Sequence, residues 1–85
     1  MDIVFGDLLT VEGKKYMTLA TLNYGGNNYA FVNKIIGEEE ITNEYYIFKI
    51  LNDGVRVVLE EDLRNILIPK FQEILKQNIN ELLKD

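Results

Sequence analysis

Hydrophobic and polar residues alternate in short runs along the first two thirds of this chain. Three turn segments separate the runs, at 11–14, 24–28 and 52–54, and each supplies Gly, Asn or Asp where a tight hairpin needs a positive φ. The runs between them are rich in β-branched and aromatic residues, which favour strands. The sequence therefore predicts an antiparallel meander of four or five strands, over Ile3–Phe5 with Leu8–Val11, Lys15–Tyr24, Tyr29–Ile36, Glu44–Leu51 and Val55–Leu59.

After Leu59 the spacing of apolar residues lengthens to about 3.6, the period of an amphipathic helix. Acidic residues begin this segment, where they complement the positive end of a helix dipole, and Lys84 lies in its last turn. Pro69 lacks a backbone donor and disfavours a helical Ile68, so we expect a kink or a break there. The pattern as a whole predicts an α+β fold, with a helix over about Glu61–Leu83 packed on one face of the sheet.

The fourth predicted strand has two faces, and neither is cleanly polar. One face carries Tyr46, Phe48 and Ile50, which we assign to the hydrophobic core. The opposite face is also largely apolar, so we expect another chain or the N-terminal segment to cover part of it. The end of the helix extends this surface if it runs past the sheet. The candidate protein interface consists of Tyr45, Ile47, Leu51, Ile79, Leu82 and Leu83.

Length and charge narrow the class of protein. The chain has 85 residues, 47% hydrophobic and 27% charged, with a formal net charge of −5, which favours one domain over residues 1–85. Binding to nucleic acid without sequence preference needs surplus Lys and Arg, so we expect no direct nucleic-acid contact. No cysteine is present, the N-terminus does not resemble a signal peptide, and no run approaches the ~18 apolar residues of a membrane span. These features predict a cytoplasmic protein without membrane contact.

The missing residue types exclude several reaction mechanisms. Without Cys, His or Ser the chain has no thiolate nucleophile, imidazole base, serine triad or common zinc site. Carboxylate chemistry remains, but a small chain offers little room for the cleft that would raise the pKa of one carboxyl group. We therefore expect a protein that is not an enzyme and that holds no metal or cofactor.

Two acidic runs are candidates for an interaction surface. The first lies in the predicted connection between the third and fourth strands, and the second begins the predicted helix. The first run lacks the alternating oxygen ligands and the closing bidentate acid of a calcium loop. A solvated loop and helix-start electrostatics are the favoured explanations. The candidate acidic surface consists of Glu38, Glu39, Glu40, Glu60, Glu61 and Asp62.

Three segments of the chain resemble a group of bacterial proteins. They are Leu22–Tyr29, Tyr45–Ile50, and Leu59–Asp62 with the helix that follows. Their order resembles the YrzB family, small acidic uncharacterised proteins of low-GC Gram-positive bacteria, over roughly residues 8–76. The chain departs from that family in being less acidic, in carrying Pro69 and in having a longer helical tail. The family has no known catalytic residue, so the resemblance implies no functional site.

We expect a small, non-enzymatic module that binds protein, with a second copy of itself as one candidate partner. The apolar character of both sheet faces motivates this expectation. Two alternatives stay open. One is a phage or mobile-element inhibitor that offers carboxylates to a nucleic-acid-binding defence protein in place of DNA phosphates. The other is a sponge for a small ligand, bound between subunits by Tyr and Asn side chains.

Overall fold

The computed structural model describes residues 6–37 and 40–83. This part of the chain forms an α+β fold with a five-stranded antiparallel meander and a C-terminal helix, as predicted. The predicted strand segment Ile3–Phe5 lies outside the described residues, as do Glu38 and Glu39. The elements are β1 (Leu8–Val11), β2 (Lys14–Tyr24), β3 (Asn27–Ile36), β4 (Glu40–Leu51), β5 (Gly54–Val57) and α1 (Glu61–Leu83), and the strands lie side by side in chain order.

Two of the three hairpin turns have the predicted positive φ angles. Glu12 and Gly13 join β1 to β2 with φ of 53° and 78°, and Gly25–Gly26 join β2 to β3 with φ of 60° and 83°. Two positive φ angles in a two-residue loop define a type I′ turn, whose twist matches that of the strands. The third turn differs from the prediction, because Asn52–Asp53 and Gly54 have no positive φ. Asn and Asp also suit turns with negative φ, so their presence did not fix the turn type.

One hydrophobic cluster fills the inner face of the curled sheet. Its central residues Ala30, Val32 and Phe48 are fully buried, and Tyr16 contacts Phe48 edge-on with ring centroids 5.0 Å apart. Both edge strands contribute to the same cluster, which requires the sheet to curl. The residues packed around its centre are Leu9 and Val11 of β1, Tyr46 and Ile50 of β4, and Val55 and Val57 of β5. The predicted core face of β4 is therefore confirmed.

Helix α1 packs on the outer face of the sheet. Leu67 and Phe71 are 0% and 1% exposed, and they pack in one cluster with Ala20, Tyr29 and Ile47. The expectation that another chain or the N-terminal segment covers this face is wrong for its centre, because the helix of the same chain covers it. Both faces of β4 are apolar because each packs against a hydrophobic core.

The helix is continuous from Glu61 to Leu83, so of the two alternatives expected at Pro69, a kink or a break, the break does not occur. Pro69 lies on the exposed side of the helix, and its neighbours Leu67 and Ile68 both pack against the sheet. Packing of Leu67 before the proline and of Phe71 after it holds the chain helical despite the local preference of a residue before proline.

A bulge in β2 explains why that strand shows no clean alternation. Its register with β3 shifts between Thr18 and Ala20. Tyr16, before the bulge, packs in the inner cluster, whereas Ala20 and Leu22, after it, pack in the cluster under the helix. The extra residue exchanges the two faces of the strand, so both faces of its sequence carry apolar residues.

A buried asparagine holds a second irregularity, between β3 and β4. The register shifts between Asn33 and Ile35, opposite residues 41–45 of β4. Asn33 is 1% exposed, and its Nδ2 donates hydrogen bonds to the carbonyl oxygens of Thr42, at 2.7 Å, and Glu44, at 3.1 Å. The side-chain amide thus supplies donors to carbonyls where the ladder is interrupted, and it fixes the course of β4.

Replacement of Asn33 by Asp tests this role. At pH 7 Asn33→Asp puts a carboxylate beside two carbonyl oxygens in place of the donating amide. We expect the free energy of unfolding to fall by about 3 kcal/mol or more, because the buried charge lacks a donor. Asn23→Asp is the matched control, since Asn23 is exposed, and it should cost less than about 1 kcal/mol. Urea unfolding followed by circular dichroism measures both, and equal losses would contradict the assigned role.

The seam between the edge strands as candidate binding site

The edge strands β1 and β5 border one open cleft. Each pairs with a single neighbour in the described sheet, β1 with β2 and β5 with β4. Because the sheet curls, their free edges approach each other across a cleft of about 300 Å³, named here the seam. The seam is lined by Leu9, Thr10, Val11, Glu12, Gly54 and Val55.

The register of β1 shows which of its backbone groups face the seam. The two-residue turn makes Val11 and Lys14 a hydrogen-bonded pair, and in an antiparallel ladder such pairs alternate with pairs that exchange no hydrogen bonds. The next pair, Thr10 and Lys15, is of the second kind. The N–H and C=O groups of Thr10 therefore point away from β2, toward the seam.

The register of β5 gives the same result on the other side. The backbone N–H of Val58 donates to the carbonyl oxygen of Ile47 at 2.8 Å, which fixes the phase of the β4–β5 ladder. By the same alternation, Val55 and Val57 exchange no hydrogen bonds with their partners on β4. Their backbone groups point away from β4, at the free edge of β5.

The direction of the two edge strands favours a particular occupant. Four successive antiparallel pairings, from β1 to β5, leave β1 and β5 running in the same direction. Direct pairing between them would be parallel, the slightly weaker arrangement. One further strand between them would instead run antiparallel to both and would complete a barrel without a free edge. The seam therefore presents two edges that suit the same inserted strand.

The seam has an apolar floor and acidic borders. Leu9, Val11 and Val55 belong to the inner cluster of the sheet, and they are only partly buried. Glu12 lines the cleft and is exposed, and Asp53, also exposed, directly precedes the lining residue Gly54. An extended segment in the seam would place alternate side chains on the apolar floor and would pass two carboxylates.

A second cleft, of about 290 Å³, lies between the β1–β2 turn and the end of β3. Three of its lining residues are Lys14, Lys15 and Lys34. The Nζ of Lys34 lies 3.6 Å from Oε2 of Glu44, so the charge of this lysine is partly offset. The cleft is therefore a weaker candidate for an anion than its three lysines suggest.

The structure places the residues of the candidate protein interface in different environments. Ile47 is 3% exposed beneath the helix, so its side chain is not accessible in the single chain. Tyr45 is 47% exposed, and its ring stacks on Phe31 with centroids 5.5 Å apart. Leu51 is partly buried at the end of β4. The backbones of Ile79, Leu82 and Leu83 belong to α1, but their side chains lie outside the described ones.

The two acidic runs belong to different elements. Glu61 and Asp62 are exposed in the first turn of α1, and Oε1 of Glu60 lies 4.0 Å from Nη2 of Arg56. In the other run, Glu40 begins β4, while Glu38 and Glu39 lie outside the described residues. A combined acidic surface from all six residues stays a prediction.

Several tyrosines take part in packing. Tyr16 and Tyr29 are buried, one in each hydrophobic cluster. The Nζ of Lys70 lies 5.5 Å from the ring centroid of Tyr24, which is close enough for a cation–π contact. These three rings lie within or against the fold of a single chain, which favours packing over a tyrosine-lined ligand pocket between subunits.

Sequence reasoning missed the seam, because its two sides are separated by about forty residues of chain. One signal was present in the pattern. A meander with an odd number of strands leaves its first and last strands parallel to each other, and such strands cannot close the sheet with antiparallel pairs. Short apolar strands at both ends, as in Leu8–Val11 and Gly54–Val57, then indicate two usable edges.

Residues 6–37 and 40–83 contain neither a metal-binding cluster nor a membrane-spanning helix. No group of three or more acidic side chains there is arranged to hold a metal ion. No helix in the described part of the chain is long and apolar enough to cross a membrane.

No family model, curated protein or solved structure matches the chain. The resemblance to the YrzB family stays a prediction, and the function is inferred from the seam.

The turn at Glu12 gives a test of local strain. With φ of 53°, Glu12 lies in the left-handed region, which Asn tolerates better than Glu. We expect Glu12→Asn to raise the free energy of unfolding by about 0.5–1 kcal/mol. Glu12→Gln removes the charge but keeps the strain, so it should stay within about 0.5 kcal/mol of the wild type. Urea unfolding separates the two, and equal stability of the two variants would refute the strain.

Proposed function

We propose that this chain is a non-enzymatic protein-binding module that accepts an extended segment of a partner protein in the seam. The observation that supports the proposal is that two free strand edges, running in the same direction, border a single cleft. In strand addition the backbone hydrogen bonds supply affinity, and contacts to alternate side chains supply specificity. The seam offers both, from the backbone groups of Thr10, Val55 and Val57 and from its apolar floor.

The expected affinity is moderate. Each new backbone hydrogen bond contributes about 0.5–1.5 kcal/mol net. Covering the apolar surface that residues of the floor such as Val11 still expose contributes a further ~25 cal/mol per Å². Ordering a flexible peptide opposes these gains. A short peptide that fills the seam should therefore bind with a Kd in the micromolar range, about −8 kcal/mol or weaker.

The class of function is the one expected from the sequence, protein binding, but the binding surface is a different one. The expected interface centred on the outer face of β4, but Ile47 there is covered by the helix. The free edges of β1 and β5 take its place, because strand edges are the part of a sheet that helix packing leaves unsatisfied. A second copy of the chain is one candidate partner for these edges.

A proline substitution at the β1 edge tests strand addition. Peptides selected from a random display library against the purified chain supply ligands, and their binding is measured by fluorescence anisotropy. Thr10→Pro removes the N–H that points into the seam while sparing the pairing with β2, since edge strands tolerate proline at outward positions. We expect it to weaken binding about tenfold or more.

Thr10→Val is the matched control, because it keeps the N–H and the branched shape, and it should bind within about twofold of the wild type. Amide chemical shifts should change at Leu8–Glu12 and Gly54–Val57 on peptide binding. Selected peptides that bind Thr10→Pro as tightly as the wild type, or that shift the resonances of α1 instead, would refute strand addition.

A further inference from the structure

We infer that the partner segment is basic, with apolar side chains at alternate positions, and that it comes from a protein other than a second copy of this chain. The inference rests on the proposed strand addition, and it goes further by naming the chemistry of the partner. Two separate features of the seam lead to it, the pattern of its floor and the sign of the charge along its borders.

The floor requires alternation. Leu9 and Val11 of β1 and Val55 of β5 belong to the inner cluster, so a strand inserted between them directs every second side chain onto apolar surface. The intervening side chains point to the outer side, beside the exposed Thr10 and Arg56. The first set must be apolar, whereas the second set can carry charge.

The borders select the sign of that charge. Glu12 lines the seam and Asp53 precedes the lining residue Gly54, and both are exposed. The lysines nearest to Glu12 in sequence, Lys14 and Lys15, line the second cleft and not the seam. The chain as a whole carries a net charge of −5, so its field also attracts a cation.

Arg56 of β5 does not cancel the negative charge that Glu12 and Asp53 place at the borders of the seam. Nη2 of Arg56 lies 4.0 Å from Oε1 of Glu60, so an acid of its own chain offsets part of its charge. Lys49 is the register partner of Arg56 on β4. A partner lysine beside Glu12 or Asp53, in contrast, gains a favourable contact. Lysine at the outward positions of the segment is therefore preferred over threonine, and glutamate is disfavoured.

A second copy of this chain fits the seam poorly. Each of its own edge strands is already paired on one side, β1 with β2 and β5 with β4, whereas a strand inserted in the seam needs two free edges. β1 also has no basic residue and is flanked by Asp7 and Glu12, so its insertion would bring like charges to the borders of the seam. β5 carries one cation, Arg56, which lies 4.0 Å from Glu60 of its own chain.

Three capped heptapeptides test the inference. They share valine at alternate positions, and the remaining positions carry lysine in the first, threonine in the second and glutamate in the third. Calorimetry at about 50 mM salt measures binding to the full chain, where exposed charges are weakly screened. We expect the lysine peptide to bind about tenfold more tightly than the threonine peptide, and the glutamate peptide more weakly than both.

Charge-matched variants locate the preference. Glu12→Gln and Asp53→Asn should each weaken the lysine peptide about two- to fivefold and leave the threonine peptide unchanged. Glu73→Gln makes the same change in net charge on the exposed side of α1, and it should leave both peptides unchanged. Thr10→Pro should weaken both peptides, because both depend on the backbone at the seam.

The outcomes separate this inference from the proposed function. Equal binding of the lysine and threonine peptides, with both lost in Thr10→Pro, overturns the basic preference and supports strand addition. Equal weakening by Glu73→Gln and Glu12→Gln also overturns it, since net charge alone then attracts the peptide. Peptide binding that is equally tight in Thr10→Pro and in the wild type overturns both strand addition and the basic preference. Self-association of the wild type that is absent in Thr10→Pro would make a second copy the occupant and overturn the choice of partner.

Discussion

The structure depends on the packing of both edge strands against one inner cluster around Phe48. Leu9 of β1 and Val57 of β5 belong to the two ends of a five-stranded sheet, and both pack in that cluster. This packing forces the sheet to curl, and the curl brings the two free edges to the same cleft. The helix covers the other face with Leu67 and Phe71, so the edges remain as the part of the sheet without a partner among residues 6–37 and 40–83.

The turn residues and the change of hydrophobic period were sufficient to predict the elements and the α+β class. The packing partners of each face were not predictable in the same way, because both faces of β4 are apolar and periodicity does not say which one a helix covers. The bulge at Thr18 exchanges the faces of β2, and the buried Asn33 holds an irregularity in β4. Both features depend on contacts between strands, and local propensity carries no signal of them.

The candidate site was less predictable than the fold. Tyr45 is exposed as expected, but Ile47 is buried by the helix, a tertiary contact that strand patterning does not encode. The seam combines residues from the two ends of the sheet. Its acidic residues Glu12 and Asp53 do not belong to the two acidic runs that stand out in the sequence. An inhibitor that uses its acidic runs in place of DNA phosphates and a small-ligand sponge remain alternatives, and no contact in the described residues favours either over strand addition.

The most direct measurement is amide hydrogen exchange of the full chain, by NMR, with and without the lysine peptide. If a strand enters the seam, the outward-facing amides of Thr10, Val55 and Val57 gain protection, because they acquire hydrogen-bond partners. The inward-facing amide of Val11 is already paired with β2 and changes little. Peptide binding that leaves Thr10 and Val55 exchanging as in the free chain, or that protects α1 instead, would contradict the proposed role of the seam.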